Sequence, residues 1–440
     1  MRICGKTLPP KAALLLGTNI VLLGLAVPLL VVAQQWGGAS QNLLWYEPLT
    51  MMIRLIPVGL FCQAVFYYHE LYNLQVIRRG REQAWRLLQG AGVAMLILAI
   101  VYAVMPHWSP GRRALLAFTP CVIAVVFFTR LLALPGRQAR VFVIGPDNRF
   151  EEIRKTIEES PEWNMELVQH LGNPHSVPAL HELDRVIVSE QVPRTGALLD
   201  ILTELKMRGV RVETAARFFE NATGRVHVDE LRRESFVFSS GFENGRQKRL
   251  LKRMVDIICA SVLLILSLPV MAFAALLIRI EGKGPVLFRQ KRVGLYGKVF
   301  QIFKFRTMVP AAPGQNPQWT ANGDKRITIV GQFLRNFRID ELPQLFNILR
   351  GEMSLVGPRP EQPYFCEILA REIPYYNQRH SIPPGLTGWA QVRYGYTASV
   401  AESKRKLEFD LFYVKHLSIW LDMAILFETV KVVLVGRGAK

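Results

Sequence analysis

Uncharged stretches long enough to cross a bilayer dominate this chain. Residues 12–33 run 22 positions without a charge, 87–105 run 19, and 257–278 run 22. A membrane-crossing helix needs roughly 20 apolar residues. Half of the 440 residues are apolar and a fifth are charged, an ordinary ratio, so the clumping carries the information. It excludes a wholly soluble chain, a disordered one and a disulfide scaffold. The first run is too long for the core of a signal peptide and no small-residue cleavage pattern follows it, so it is expected to be retained.

Four membrane helices are expected within residues 1–138, at 12–33, 48–68, 87–105 and 114–134. Orientation follows the Lys and Arg of short loops. Arg2, Lys6 and Lys11 precede the first span, and residues 34–47 hold no Lys or Arg. Arg78, Arg79, Arg81 and Arg86 fill the next loop. Arg112 and Arg113 in the third loop run against the trend, and Arg137 and Arg140 follow the fourth span. The sum puts both ends in the cytoplasm. The five cysteines form no C-x-x-C pair and read as small apolar residues in a reducing compartment.

From Arg140 the pattern changes to short β-branched runs separated by helical ones. Strands are expected at 141–145, 185–189 and 210–213, and helices at 149–159 and 195–208. This is the pattern of a small Rossmann-like α/β module, 139–240. Its first turn, Gly145-Pro146-Asp147-Asn148, lacks the glycine fingerprint that lets backbone approach a pyrophosphate, so a structural or regulatory module is expected.

The third region, 241–440, holds 29 Lys and Arg against 15 Asp and Glu, a net of +14 out of +19 for the chain. Beside membrane spans, such an excess points to an anionic lipid surface or a phosphorylated substrate ahead of nucleic acid. The run at 257–278 is flanked by Arg246, Lys248, Arg249, Lys252 and Arg253 before it, and by Arg279, Lys283, Arg289, Lys291 and Arg292 after it. Both flanks therefore read as cytoplasmic. Ser267-Leu268-Pro269 falls in its middle; proline removes a backbone donor and Ser267 can satisfy a freed carbonyl. A helix that breaks and returns, a re-entrant hairpin at about 250–281, fits this pattern, as does a kinked span. Residues 407–435 read either as an amphipathic helix in the membrane interface or as a core-facing one.

Five short stretches of the third region could carry chemistry. Lys304 and Arg306 stand at i and i+2, on one face of a strand. Asp340 and Glu341, preceded by Arg335 and Arg338, sit just before an apolar helix that Pro343 opens. Arg359 lies between Pro358 and Pro360, which present its guanidinium rigidly for a phosphate. Residues 384–389 form a glycine-rich turn beside Trp389. Asp410 and Tyr413 share a helix face. Each alone has a plainer explanation: a helix cap, a solvated strand face, a structural ion pair, a stiffened loop.

Together, behind a broken hydrophobic segment, these stretches resemble the bacterial polyprenyl-phosphate sugar-1-phosphate transferases, the monotopic phosphoglycosyl transferases. The resemblance covers 249–435. The whole chain is similar to the large form of the family, in its exopolysaccharide-initiating branch. It departs at the hairpin, where Leu268 separates Ser267 from Pro269, and after Trp389, where Arg393-Tyr394-Gly395 replaces a common Asn-Gly-Arg. The resemblance implies transfer of a sugar-1-phosphate from a UDP-sugar to polyprenyl phosphate, usually undecaprenyl phosphate, with release of UMP. It implies Asp340 as a nucleophile forming a covalent phosphosugar adduct, and Glu341 as a ligand of Mg²⁺. Lys304, Arg306, Arg335 and Arg359 would neutralise phosphate charge, with Asp410 and Tyr413 in support. The setting implied is the bacterial cytoplasmic membrane, with the catalytic domain (241–440) on the cytoplasmic face, and a homodimer joined through the middle regions. A membrane-anchored scaffold of polysaccharide assembly is the rival reading; disrupted motifs would favour it, and they are intact.

Overall fold

The computed structural model describes residues 2–3, 6–7, 61, 65, 89–90, 92–94, 138–158, 165–171, 183–231, 233–238, 241–242, 245–309, 326–394 and 399–435. Of the four expected N-terminal spans, 12–33 and 114–134 lie outside the described residues. The other two are described only at Phe61, Val65, Gln89, Gly90 and Gly92–Ala94, all helical. The chain divides into two compact units between Ala215 and Ala216.

The first unit is a parallel sheet with its helices. Its described elements are β1 (Ala139–Ile144), α1 (Asp147–Glu158), β2 (Met165–Leu171), β3 (Arg185–Val188), α2 (Gly196–Met207) and β4 (Arg211–Thr214). The strand order is β2-β1-β3-β4, and every pairing is parallel. Phe142, Ile144, Val186 and Val188 pack with Leu198 and Leu205 of α2. Val141, Val143 and Ile187, on the opposite face, are also buried. Burial on both faces is why these strands read as unbroken apolar runs rather than alternating ones. Thr195 caps α2, its hydroxyl accepting from Leu198 N. The edge strand β2, Met-Glu-Leu-Val-Gln-His-Leu, mixes polar and apolar residues and escapes the sequence pattern.

The second unit begins as α3 (Ala215–Thr223) starts, earlier than the boundary at residue 240 expected from composition. The reason is packing. Val226 and Val228 are buried in this unit's core, Val226 N donates to Glu408 O at 3.0 Å, and the Trp389 indole donates to Gly224 O at 2.7 Å. Next come α4 (Arg233–Phe238), α5 (Arg246–Glu281), and the antiparallel hairpin β5 (Leu287–Val293) and β6 (Val299–Phe305). They are followed by α6 (Ile329–Asn336), a 3-10 turn at Ile339–Glu341, α7 (Gln344–Arg350), β7 (Ser354–Val356) and α8 (Pro363–Glu372). A 3-10 segment at Tyr376–Ser381, β8 (Gly385–Thr387), α9 (Trp389–Arg393), α10 (Val400–Lys415) and α11 (Ile419–Val435) complete the unit.

Two stretches with open readings are described here. Residues 407–435 are two helices, and every residue from Leu407 to Val414 of α10 is buried. A helix buried on all sides is a core element, so α10 does not lie in a membrane interface. Its polar residues are tolerated because distant partners neutralise them: Lys406 by Glu361, Glu408 by Arg225 and Asp410 by Arg379. The second is the 257–278 run, read as a re-entrant hairpin or a kinked span; it lies within one 36-residue helix, α5, with Pro269 inside it. Ser267 Oγ donates to Leu264 O at 3.2 Å, one turn back, as a hydroxyl near a proline can. Of the described helices, α5 is the one long and apolar enough to cross a membrane.

Both ends of α5 are fastened to the same folded unit. Near its start, Lys252 pairs with Asp422 at 2.7 Å, and Arg253 donates to the carbonyls of Ile348 and Leu349. Asp256 accepts from Leu355 N at 3.0 Å. Near its end, Arg306 donates to the carbonyls of Ile278, Gly282 and Lys283, and Glu281 accepts from Val330 N. Between these anchors a row of apolar side chains stays exposed, among them Ile258, Leu263, Leu266, Phe273 and Ile280.

Candidate active site

Chain geometry around residue 340 gathers the charged groups. α6 ends at Phe337, and Arg338 takes a left-handed conformation, φ 57°, that turns the chain into the 3-10 segment. Such a φ is uncommon for a residue with a side chain. Asp340 and Glu341 follow on that turn and both are buried. Pro343 caps α7 as the sequence predicts, and Gly351 closes it at φ 83°. Asn347, fully buried, ties α7 to β6: its amide donates to Gln301 O at 2.7 Å and its carbonyl accepts from Phe303 N at 3.1 Å. That tie sets Lys304 opposite Glu341.

Arg359 arrives from the other side. β7 pairs in parallel with β8, so the Gly-Pro-Arg-Pro loop and the glycine-rich turn before Trp389 are two halves of one device. Gly357 N donates to Thr387 O at 2.9 Å and Gly385 N to Pro358 O at 3.0 Å. A Cβ on Gly385 would fall 2.1 Å from Gly357 N, so only glycine permits this approach.

The groups meet at one oxygen. Glu341 Oε1 lies 2.8 Å from Arg359 Nη2, 3.2 Å from Lys304 Nζ and 3.7 Å from Arg338 Nη1. The side-chain hydrogen bonds that Glu341 accepts, from Lys304 and Arg359, both fall on Oε1. Burial pushes the Glu341 carboxyl up, but Arg359, Lys304 and Arg338 outweigh it and hold the group well below the usual carboxylate range. Asp340 goes the other way. Burial and the negative charge of Glu341 raise its carboxyl to about 6, against the pull of Lys304, Arg335 and Arg359. Burial lowers the Lys304 ammonium.

The sequence-predicted residues thus sort by position. Asp340, Glu341, Lys304, Arg335 and Arg359 act on one another at the site. Arg306 does not join them; its guanidinium donates to the three carbonyls at the end of α5, a helix-capping position. Strand alternation put it on the Lys304 face, but it lies one residue past the end of β6. Asp410 and Tyr413 lie beneath the site. Asp410 accepts from Arg379 Nε at 3.0 Å and Nη2 at 2.7 Å, and Arg379 Nη2 also donates to Arg359 O at 2.9 Å. The Tyr413 hydroxyl lies 2.5 Å from Asp422 Oδ1 and 3.0 Å from Val356 O, at the end of β7. Both residues position the Arg359 loop.

Sequence reasoning missed Arg338, Arg379 and Glu361. Arg338 carried a signal, standing three residues before Glu341. Glu361 is partly buried, bound by Lys406 at 2.7 Å and Arg292 at 3.5 Å. Burial would raise it, but Lys406, Arg379 and Arg292 hold it down at about 2. With Arg292 donating to Pro360 O, it anchors the far side of the Arg359 loop.

No group of three or more His, Cys, Asp and Glu side chains suited to a metal occurs among the described residues. Mg²⁺ commonly takes one or two carboxylates and completes its shell with water and substrate phosphates. Glu341 and Asp340, two buried carboxylates side by side, fit a cation shared with a phosphorylated substrate.

Two neighbouring carboxylates of opposite electrostatic tendency, enclosed by Lys and Arg near an exposed apolar helix, define a site for anions beside a lipid-like surface. Residues 247–436 match the family described as bacterial sugar transferase, and the chain belongs to that family. It is 44% identical over 192 residues to the UDP-glucose:undecaprenyl-phosphate glucose-1-phosphate transferase of Caulobacter vibrioides, covering 43% of this chain and 72% of that protein. It is 43% identical over 221 residues to the UDP-N-acetylgalactosamine-undecaprenyl-phosphate N-acetylgalactosaminephosphotransferase of Aeromonas hydrophila, covering 50% and 52%. With the UDP-glucose:undecaprenyl-phosphate glucose-1-phosphate transferase of Escherichia coli K12 it shares 41% over 193 residues, covering 43% and 42%. The chain thus spans about half the length of the last two relatives, and the residues that match the family lie within the second unit.

Proposed function

We propose that the chain transfers a sugar-1-phosphate from a UDP-sugar to undecaprenyl phosphate at the cytoplasmic face of a bacterial inner membrane. The carrying observation is the split between Asp340 and Glu341. A nucleophilic carboxylate needs to be basic and accessible to phosphorus, and Asp340 is the one raised toward 6. In the first step an Asp340 oxygen attacks the phosphorus next to the sugar. The bond from that phosphorus to the bridging oxygen breaks, and UMP leaves. In the second step a phosphate oxygen of the polyprenyl acceptor attacks the same phosphorus and releases the Asp340 carboxylate. Lys304, Arg335, Arg338 and Arg359 offset the negative charge that would otherwise repel the attacking group. Mg²⁺, held by Glu341 and the substrate phosphates, would polarise the phosphoryl oxygens.

The fastening of α5 supports the membrane reading. A helix whose two ends bind one folded unit, with an apolar row exposed between them, suits insertion into one leaflet and return, with the site at headgroup depth. The names of the relatives supply the substrate classes. The test is to incubate the purified full chain with Mg²⁺, undecaprenyl phosphate and a panel of UDP-sugars, and to measure UMP. Release with one sugar, dependent on the lipid acceptor for turnover, is expected; no release with any member of the panel would overturn the proposal.

A further inference from the structure

Two buried amides of α7 fare differently. Asn347 is fully satisfied: its Nδ2 donates to Gln301 O and to Glu352 Oε2, both at 2.7 Å, and its Oδ1 accepts from Phe303 N at 3.1 Å. Gln344, one turn earlier in the same helix, is 3% exposed, and its Nε2 is buried without a hydrogen-bond partner among the described residues. Buried polar groups are almost always paired, and an amide donor sealed from water and left alone is destabilising. Departures of this kind belong at functional sites, where local cost is accepted for chemistry.

The place of Gln344 supplies such a reason. A helical side chain leans toward the start of its helix, so a residue covers the positions three and four before it. For Gln344 these are Glu341 and Asp340, on the turn that leads into α7. Glu341 already takes hydrogen bonds from Arg359 at 2.8 Å and from Lys304 at 3.2 Å. Asp340 is governed by burial and by charge acting across space, from Glu341 beside it, Lys304 on β6, Arg335 on α6 and Arg359. Gln and Asp four positions apart are a natural hydrogen-bonding pair.

We propose that Gln344 is a positioning residue for Asp340: its side-chain amide, unpaired before the reaction, donates to the Asp340 oxygen that stays free when the other bonds to phosphorus. This role rests on the proposed transfer. In the first step one Asp340 oxygen bonds to phosphorus, the bridging bond breaks and its electron pair leaves with UMP. The second Asp340 oxygen becomes a carbonyl oxygen and accepts from Gln344, which fixes the plane of the group. In the second step a phosphate oxygen of the lipid attacks, the bond from phosphorus to Asp340 breaks, and its pair returns to the carboxylate. No proton moves to or from the amide. The Gln344 bond strengthens as the charge returns, because a charged acceptor holds a donor more strongly than a neutral one. Gln344 therefore assists the release of Asp340 more than its attack.

The test uses the purified full chain in detergent with Mg²⁺ and the same panel of UDP-sugars. The adduct is formed first, undecaprenyl phosphate is added, and its loss is followed by rapid quench. Gln344→Met keeps length and helix propensity and removes the donor. It is expected to slow the loss of adduct about tenfold while its melting temperature stays level or rises, since an unpaired donor is removed. A merely structural amide gives a lower melting temperature instead, and that result would overturn the proposal. Gln344→Glu is the second variant. Once ionised it sets a like charge against Asp340, so the acid limb of adduct formation is expected to move to higher pH. An unmoved limb would show that position 344 does not face Asp340 and would overturn the proposal too. Absence of any adduct on the unaltered chain would overturn the transfer reading and the role of Gln344 with it. An adduct that Gln344→Met loses at the unaltered rate would overturn the role of Gln344 alone.

Discussion

Asp340 and Glu341 are adjacent on a 3-10 turn, where successive side chains point about a third of a turn apart. That divergence turns Glu341 onto the cations and leaves Asp340 with burial and a negative neighbour. A pH dependence follows. Asp340 attacks as a carboxylate, so adduct formation is expected to rise as pH passes through about 6 and to level off above it. Arg335 lowers that value, so Arg335→Gln, which removes a positive charge, moves the acid limb to higher pH. Rapid-quench measurement of adduct formation across pH checks both; a profile flat from pH 5 to 8 would contradict them. The acidic pair was legible in the sequence, because two carboxylates before a proline-opened helix form a local pattern. The role of Arg338 was not, because a left-handed backbone that swings its side chain back is a property of the turn. Arg306 was misplaced for the same kind of reason, since alternation stops where the strand does.

At the scale of elements, the Arg359 loop is held between α10, the 3-10 segment before β8, and β8 itself. Asp410 and Arg379 are both buried within that support. Asp410→Asn would leave Arg379 buried without its counter-charge, which costs about 3–5 kcal/mol. The variant is expected to melt at lower temperature. Where still folded, it is expected to release UMP more slowly, because Arg379 no longer fixes the Arg359 carbonyl. An unchanged melting temperature would mean that the Asp410–Arg379 pair does not form. The elements of the parallel module were legible where apolar runs met turn residues, and β2 was lost because its sequence mixes both. The burial of α10 was one of two readings that the sequence left open. Lys406, Glu408 and Asp410 alternate with apolar residues like a solvated face, and the partners that neutralise them lie 45, 183 and 31 residues away.

For the whole molecule, the fastening of α5 decides where the chemistry stands relative to lipid. The basic flanks lead one to expect both ends on one side, and the structure adds the bonds that hold each end to one unit. Lys248 and Lys291 are therefore expected to react from the same side of sealed vesicles with an impermeant amine reagent. Labelling from opposite sides would require α5 to cross the bilayer and would move the site away from the headgroups. What the sequence concealed at this scale is the allegiance of residues 216–240. They were grouped with the Rossmann-like module, yet Val226, Val228 and Gly224 complete the core around Trp389 and Glu408.

The central claim is capture of phosphorus by Asp340. Its most direct test is intact-mass measurement of the full chain mixed with Mg²⁺ and its UDP-sugar in the absence of lipid acceptor. A mass increase equal to one phosphosugar, lost on adding undecaprenyl phosphate and absent from Asp340→Asn, is the predicted result. The same adduct on Asp340→Asn, or undiminished UMP release by that variant, would contradict it.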